Sequence, residues 1–426
     1  MSIIAFCPYP EIGHIQPTLR LAQELRSVGH RVVYWTLPDF QNMLEVQGFE
    51  TVALLSGKYP LGTIERLHRM PQDDHKALAG EIILAYRYMV LDGELDELLR
   101  ALAPDVLISD IMLNGPAMAA RAQGVLAYHV WIVLPDTRAP GVPPINTSLP
   151  YGDTPERQMA VDGAWDALLS EVPTELDLEQ KRIDRQVMDK YGISADDVED
   201  GALCRVTKTV PELIMCASAF DFPRPASERC HYIESLTLER APIAFPWERL
   251  SPDKPLVFCS LGTQSYRIPG ALRFFSEVVS AAASRPDWQF VIVLGARWSS
   301  SDFRSVPDNA VLVPFAPQVQ LLPRCSVVIH HAGLGTTRES IAFGVPMVVF
   351  PLLYDQPGNG ARIRYHGLGE VGDFHSVTAP ELVEMIERVR TDGESAERMA
   401  AMRLAFEEVE QRQPGLALIQ KALASR

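Results

Sequence analysis

The chain has 426 residues, 47% of them hydrophobic and 22% charged, and a net charge of −15. That length exceeds what one hydrophobic core serves and suits two domains. The acidic balance argues against nucleic acid and anionic membrane surfaces as partners, and no apolar run is long enough to span a bilayer. Six cysteines stand scattered, with no Cys-x-x-Cys pair, which fits a reduced, cytoplasmic protein without a metal site. The opening SIIAFCPYP lacks a basic leader and reads as a first strand, not a signal peptide.

That strand covers Ile3–Cys7. A turn, PYPEIGH, leads into a helix from about Ile15, with Pro17 in its first turn, and Arg31–Thr36 is the next strand. The unit is β-α-β without G-x-G-x-x-G, so a nicotinamide fingerprint is absent. His14 sits where the strand feeds the helix. The helix N-terminus disfavours imidazolium, which predicts a neutral ring able to accept a proton. Gly80–Leu102 reads as one long amphipathic helix. Pro104–Asp110 starts with a turn, fills a strand at Val106–Ile108 and leaves Asp110 at its end. Gly124–Val133 is a further strand. Leu134 to about Glu156 is rich in Pro, Gly and Thr, and it reads as a long surface loop at the mouth of a binding pocket. One or two solvated helices follow over Asp162–Lys190, then short strands at Leu213–Ser218 and His231–Glu234.

Four prolines in Arg240–Pro255 mark a stiff linker. This divides the chain into 1–239, the linker 240–255, a second domain 256–413 and a final segment 414–426. Leu256–Ser260 opens the second sheet and runs into a glycine turn at Gly262 and Thr263. Gln289–Leu294 and Val311–Val313 are strands. Val327–His330 is a strand buried on both faces. The turn after it holds His331, Gly333 and Gly335 ahead of a helix from about Thr336. Glycines, unpaired N–H groups and the positive helix end converge there, as a diphosphate requires. Thr336 and Glu339 also have the spacing of a capping box, which would only close the helix end. After the strand Val345–Phe350 come Asp355 and Gln356, whose carboxylate and amide suit sugar hydroxyls. Helices over Glu381–Val389 and Ser395–Gln413 complete the domain.

This second half resembles the family 1 nucleotide-sugar-dependent glycosyltransferases. Their donor signature runs aromatic-x-Pro-Gln, His-x-Gly-x-x-Ser/Thr-x-x-Glu, Gly-Val-Pro and Asp-Gln. Here it is Phe315, Pro317, Gln318; His331, Gly333, Thr336, Glu339; Gly344, Val345, Pro346; and Asp355, Gln356. Phe315, Leu334 and Gly335 depart from the plant pattern of Trp and Trp-Asn and look bacterial. The resemblance implies a GT-B fold: two facing Rossmann-like, doubly wound α/β domains with a cleft between them. It implies that Phe315 stacks on the base with Ala316 beside it, and that Gln318 lies by the base or ribose. His331, Gly335 and Thr336 would hold the diphosphate, with Gly262 and Thr263 supporting. Glu339 would take the ribose, and Asp355 with Gln356 the sugar. Family members also pair an N-terminal His with a strand-end Asp, here His14 as base and Asp110 as its orienting partner. In the family a C-terminal helix crosses back onto the first domain, a role for Pro414–Ala424.

The expected activity is inverting transfer of a hexose from a UDP-sugar, glucose first and a dTDP-sugar second, to a hydrophobic small-molecule hydroxyl. The macrolide and other bacterial natural-product enzymes are the nearest type. No metal and no other cofactor is expected. Two other activities share the clamp: a UDP-sugar 2-epimerase, and a silent auxiliary partner of a transferase. The complete donor pattern speaks against the first, and His14 with Asp110 against the second.

Overall fold

A computed structural model describes every residue except 71, 237–242, 263–266 and 426, and the side chains of 68, 72, 73 and 76 are likewise outside the description. Strands β1 (Ile3–Cys7), β2 (Arg31–Thr36), β3 (Glu50–Ala53), β4 (Val106–Asp110) and β5 (Leu126–Trp131) come first. A short antiparallel hairpin follows, β6 (Val198–Asp200) and β7 (Arg205–Thr207), then β8 (Glu212–Ile214) and β9 (Cys230–Tyr232). The second half contributes β10 (Leu256–Ser260), β11 (Gln289–Val293), β12 (Ala310–Val313), β13 (Cys325–His330), β14 (Met347–Val349) and β15 (Gly369–Val371).

These strands build two parallel sheets, ordered β3-β2-β1-β4-β5-β8-β9 and β12-β11-β10-β13-β14-β15. Strands such as β1 and β10 are apolar along their length and buried on both faces, because helices cover each sheet above and below. This is the doubly wound, Rossmann-like pair of domains that the sequence implies. The strand order reverses between β1 and β4 in one sheet and between β10 and β13 in the other. Loops leaving adjacent strands diverge at such points, and ligands collect there.

Several local expectations change. The first helix begins at Ile12, not Ile15, so His14 lies within its first turn. The expected helix Gly80–Leu102 is two, Gln72–Asp92 and Glu94–Leu102, parted at Gly93, whose φ of 93° a side chain would resist. The two helices after the proline-rich loop are Pro155–Leu169 and Glu175–Tyr191. The described part of 240–255 is not a free strut: Phe245, Trp247 and Leu250 pack on the second sheet.

The proline-rich stretch after β5 is the largest departure. It is wedged between the domains instead of lying at a pocket mouth. Leu134, Val142 and Ile145 are buried, and the Ile145 carbonyl accepts a hydrogen bond from Gly358 of the second domain at 2.8 Å. Its composition is loop-like, but its prolines satisfy a buried path by removing N–H groups that would need partners.

A large apolar cluster spans both domains. Ile111, Trp131, Ile214 and Phe220 from the first meet Leu334, Met347, Ile363 and Phe406 from the second. The last helix, Pro414–Ala424, returns to the first domain, where Leu416 and Ile419 enter its core.

Candidate active site

Between the two switch points lies a cleft of about 1730 Å³. His14 lines it from the first domain. Phe315, Ala316, Gln318, His331, Gly333 and Gly335 line it from the second, and Gly262, Thr336, Glu339, Asp355 and Gln356 do so as well. Thr263 lies outside the described residues. Asp110 is fully buried behind His14.

The base pair of residues comes from the first switch point. β1 and β4 are neighbours in register, Cys7 opposite Ser109. The turn after β1 therefore carries His14 over the end of β4, where its Nδ1 is 2.8 Å from Asp110 Oδ2. A carboxylate oxygen accepts, so Nδ1 carries the proton and Nε2 of the neutral ring keeps its lone pair. Asp110 Oδ1 accepts the Met112 N–H at 3.0 Å, which fixes the carboxylate in turn. Tyr9 packs on the imidazole, ring centroids 4.8 Å apart.

The shift expected for His14 from the helix end runs the other way. Burial does disfavour the charged ring. The charge and hydrogen bond of Asp110 outweigh it, with Glu11 and Asp355 adding further negative charge, and the pKa rises above the ordinary value. A nearby full charge wins over a partial helix-end charge.

The second switch point brings together the residues expected to hold a diphosphate. β10 and β13 pair Ser260 with His330, so the turns holding Gly262 and His331 stand side by side. The His331 ring fits between two glycines. A Cβ on Gly262 would lie 2.4 Å from His331 Cε1, and one on Gly333 would lie 2.5 Å from Nε2. Both glycines thus admit the imidazole, whereas Gly335 faces open space. Ala332 takes a left-handed φ of 63° to make this turn. Burial lowers the His331 pKa to about 4 against the opposing influence of the Ser260 backbone, so the ring is neutral.

The helix after the turn runs Leu334–Ala342, two residues earlier than expected. Gly333 is its N-cap, and no side chain caps it. Thr336 and Glu339 therefore form no capping box. Instead Gln318 Nε2 donates to Glu339 Oε2 at 2.6 Å and lies 3.4 Å from Thr336 Oγ1. Residues far apart in the signature are thereby one polar group. Within a helix the first N–H groups have no internal acceptor, and here those are on Leu334, Gly335 and Thr336, at the cleft.

At the sugar end, Asp355 Oδ2 accepts from Asn359 Nδ2 at 2.7 Å, and the same amide donates to the Ala332 carbonyl at 2.9 Å. Burial pushes the Asp355 carboxyl up to about 6, while the Asn359 hydrogen bond and the His14 charge pull the other way. Gln356 Oε1 accepts the Leu352 and Leu353 N–H groups at 2.9 and 3.0 Å, leaving its amide nitrogen as the end for a ligand. Asn359 is a positioning residue that the sequence reading missed; its place three residues after Gln356 was the only signal. Phe315 is 59% exposed at the cleft, a ring face open to stacking. Among the described residues no group of three His, Cys, Asp or Glu side chains is placed to hold a metal ion.

The chain is similar to known proteins. The family described as erythromycin biosynthesis protein CIII-like, C-terminal domain, matches residues 277–423. A demethyllactenocin mycarosyltransferase of Streptomyces fradiae is 27% identical, over 95% of this chain and 82% of its own length. A zeaxanthin glucosyltransferase of Pantoea ananas is also 27% identical, over 95% of this chain and 92% of its own. The solved glycotransferase of kitacinnamycin superposes with a TM-score of 0.74 at 21% identity, covering 99% of this chain and 98% of that one, which carries the fold.

Proposed function

We propose that this chain, a GT-B glycosyltransferase of the natural-product type whose residues 277–423 are a CIII-like C-terminal domain, moves glucose from UDP-glucose to a hydroxyl of a hydrophobic small molecule. The observation that carries the reading is the juxtaposition of His14–Asp110 and the His331 turn across one cleft. The acceptor hydroxyl gives its proton to His14 Nε2 as its oxygen attacks the anomeric carbon. The bond from that carbon to the β-phosphate oxygen breaks on the opposite face, and the nucleoside diphosphate leaves with the electron pair. Attack opposite the leaving group inverts the anomeric centre. Asp110 orients the ring and stabilises the imidazolium that forms. The helix N–H groups and His331 meet the charge growing on the diphosphate, where preorganised donors contribute most.

Asp355 and Gln356 favour a sugar that keeps its hydroxyls, and one relative is named a glucosyltransferase. A dTDP-sugar is the second choice of donor. The clamp is made of protein groups, so the reaction needs no metal ion and EDTA leaves its rate unchanged. The six free cysteines suit a cytoplasmic enzyme, and among the described residues no helix is long and apolar enough to cross a membrane.

Incubation with UDP-glucose and a panel of phenols, polyketides and carotenoids, read by mass, tests the proposal. A gain of one hexose by an acceptor supports it. Isomerised donor without an acceptor product, or no reaction with either UDP- or dTDP-sugars, overturns it. His14→Ala is expected to abolish transfer to alcohols while UDP-glucose still binds.

A further inference from the structure

The helix Gln356–His366 starts at the two residues assigned to the donor sugar, yet one face of it is held by the other domain. Gly358, Arg362 and His366 stand four residues apart and so share that face. Gly358 N–H donates to the Ile145 carbonyl at 2.8 Å. Arg362 Nε donates to Asp221 Oδ1 at 2.8 Å, and His366 Nε2 lies 3.0 Å from the Phe220 carbonyl. The contact with Ile145 is the one at the sugar end.

That contact is tight and unyielding. A Cβ on Gly358 would lie 2.4 Å from the Ile145 oxygen and 2.8 Å from its Cγ1. Ile145 follows two prolines and is buried. The Pro144 carbonyl accepts the Thr147 N–H at 3.0 Å and its hydroxyl at 2.8 Å, and Trp165 Nε1 donates to the Val142 carbonyl at 2.8 Å. The segment 142–147 is therefore held in place by its own hydrogen bonds. On the other side, Asn359 ties Asp355 to the carbonyl of Ala332 in the diphosphate turn.

We propose that segment 142–147 is a strut by which the first domain sets the position of the donor sugar, with Gly358 as the positioning residue. It places the sugar relative to His14 and leaves the nucleotide to the second domain alone. The inference rests on the glucosyl-transfer reading above.

Calorimetric titration of the parent, Gly358→Ala and Pro144→Gly with UDP and with UDP-glucose tests it. Pro144→Gly leaves every second-domain residue in place and carries the test should Gly358→Ala not fold. Both variants are expected to bind UDP within about twofold of the parent and UDP-glucose about tenfold more weakly, the scale of one oriented hydrogen bond. Equal losses on the two ligands, as a merely structural role would give, or unchanged binding of UDP-glucose by folded variants, would overturn it. If the parent prefers dTDP-glucose, the same comparison is made with dTDP. A parent that takes neither nucleotide sugar removes the donor reading and the strut together; a parent that takes one, with variants that track it, removes only the strut.

Discussion

His331 occupies a slot whose walls are two glycines, and that slot decides what the clamp can tolerate. Gly262→Ala puts a methyl 2.4 Å from the ring at a residue with φ of 77°, and Gly333 blocks escape on the far side. The imidazole must leave its place, and UDP affinity is expected to fall about tenfold or more (~1.4 kcal/mol) by calorimetry. Ala at Gly335, which faces open space, offers the contrast: it obstructs only a bound ligand. His14 has its own signature. Its raised pKa means that the neutral base form appears only above the ordinary histidine range. Transfer measured as kcat/KM is expected to rise with pH on an acid limb above about 6.5. Asp110→Asn removes the raising charge, so that limb should move to lower pH while the maximal rate falls. A limb that stays in place would remove Asp110 as the cause. Each of these side chains was legible from sequence, because a strand, a turn and a short polar motif are local. The protonation was not, since the helix end was weighed for His14 and the charge of its expected partner Asp110 was not. Nor was the grouping of Gln318 with Glu339, which needs two separate turns to meet.

Elements were readable where hydrophobic period and turn chemistry agreed. β1, β10 and β13 follow from apolar, β-branched runs, and Thr378 with Glu381 forms a true capping box at Ala379–Thr391. The proline-rich loop was misread because composition reports mobility in solution, not what a neighbouring domain covers. The returning helix Pro414–Ala424 lies where the resemblance implies, but the contacts that hold it depend on context. Its first N–H groups, on Gly415 and Leu416, donate to the buried Glu234 carboxylate at 2.8 and 2.9 Å, from a residue some 180 positions earlier. Gln413 donates to Glu24 beside it at 2.8 Å. Burial, then the adjacent Glu234 carboxylate, push Glu24 up to about 8. Unfolded, Glu24 ionises near 4.5, so between about pH 4.5 and 8 the folded chain holds the extra proton. Stability from this site is therefore present at low pH and lost as pH rises through that window. Glu24→Gln, which cannot ionise, is expected to gain in melting temperature relative to the parent between pH 5 and pH 8.5. A difference that does not change with pH would count against it.

At the scale of the molecule, the two sheets were legible as two domains and the last helix as a link between them, but their shared core was not. A stiff linker and a crossing helix say nothing of the apolar contacts between the lobes. Here the apolar cluster joining Trp131 and Phe220 to Met347 and Phe406 runs through both. Beside it Arg362, fully buried, donates to Asp221, which also accepts from Arg224 Nε at 2.9 Å and the Tyr232 hydroxyl at 2.6 Å. Burial opposes the Asp221 charge, but Arg362 and Arg224 hold its pKa below the usual carboxylate range. A shared core and a buried ionic centre couple the unfolding of the lobes, so calorimetry of the parent is expected to show one cooperative transition. Removing one partner of a buried pair leaves an uncompensated charge and costs about 3–5 kcal/mol. Arg362→Ala is thus expected to lower the first melting step sharply and to split it in two, the lobes then melting in turn. Saturating UDP should raise only the step that belongs to the second domain, because its clamp residues all lie there and binding stabilises what binds. A variant that still melts in a single step at the parent temperature would show that the apolar cluster alone holds the lobes together, with the ionic centre contributing nothing to their coupling.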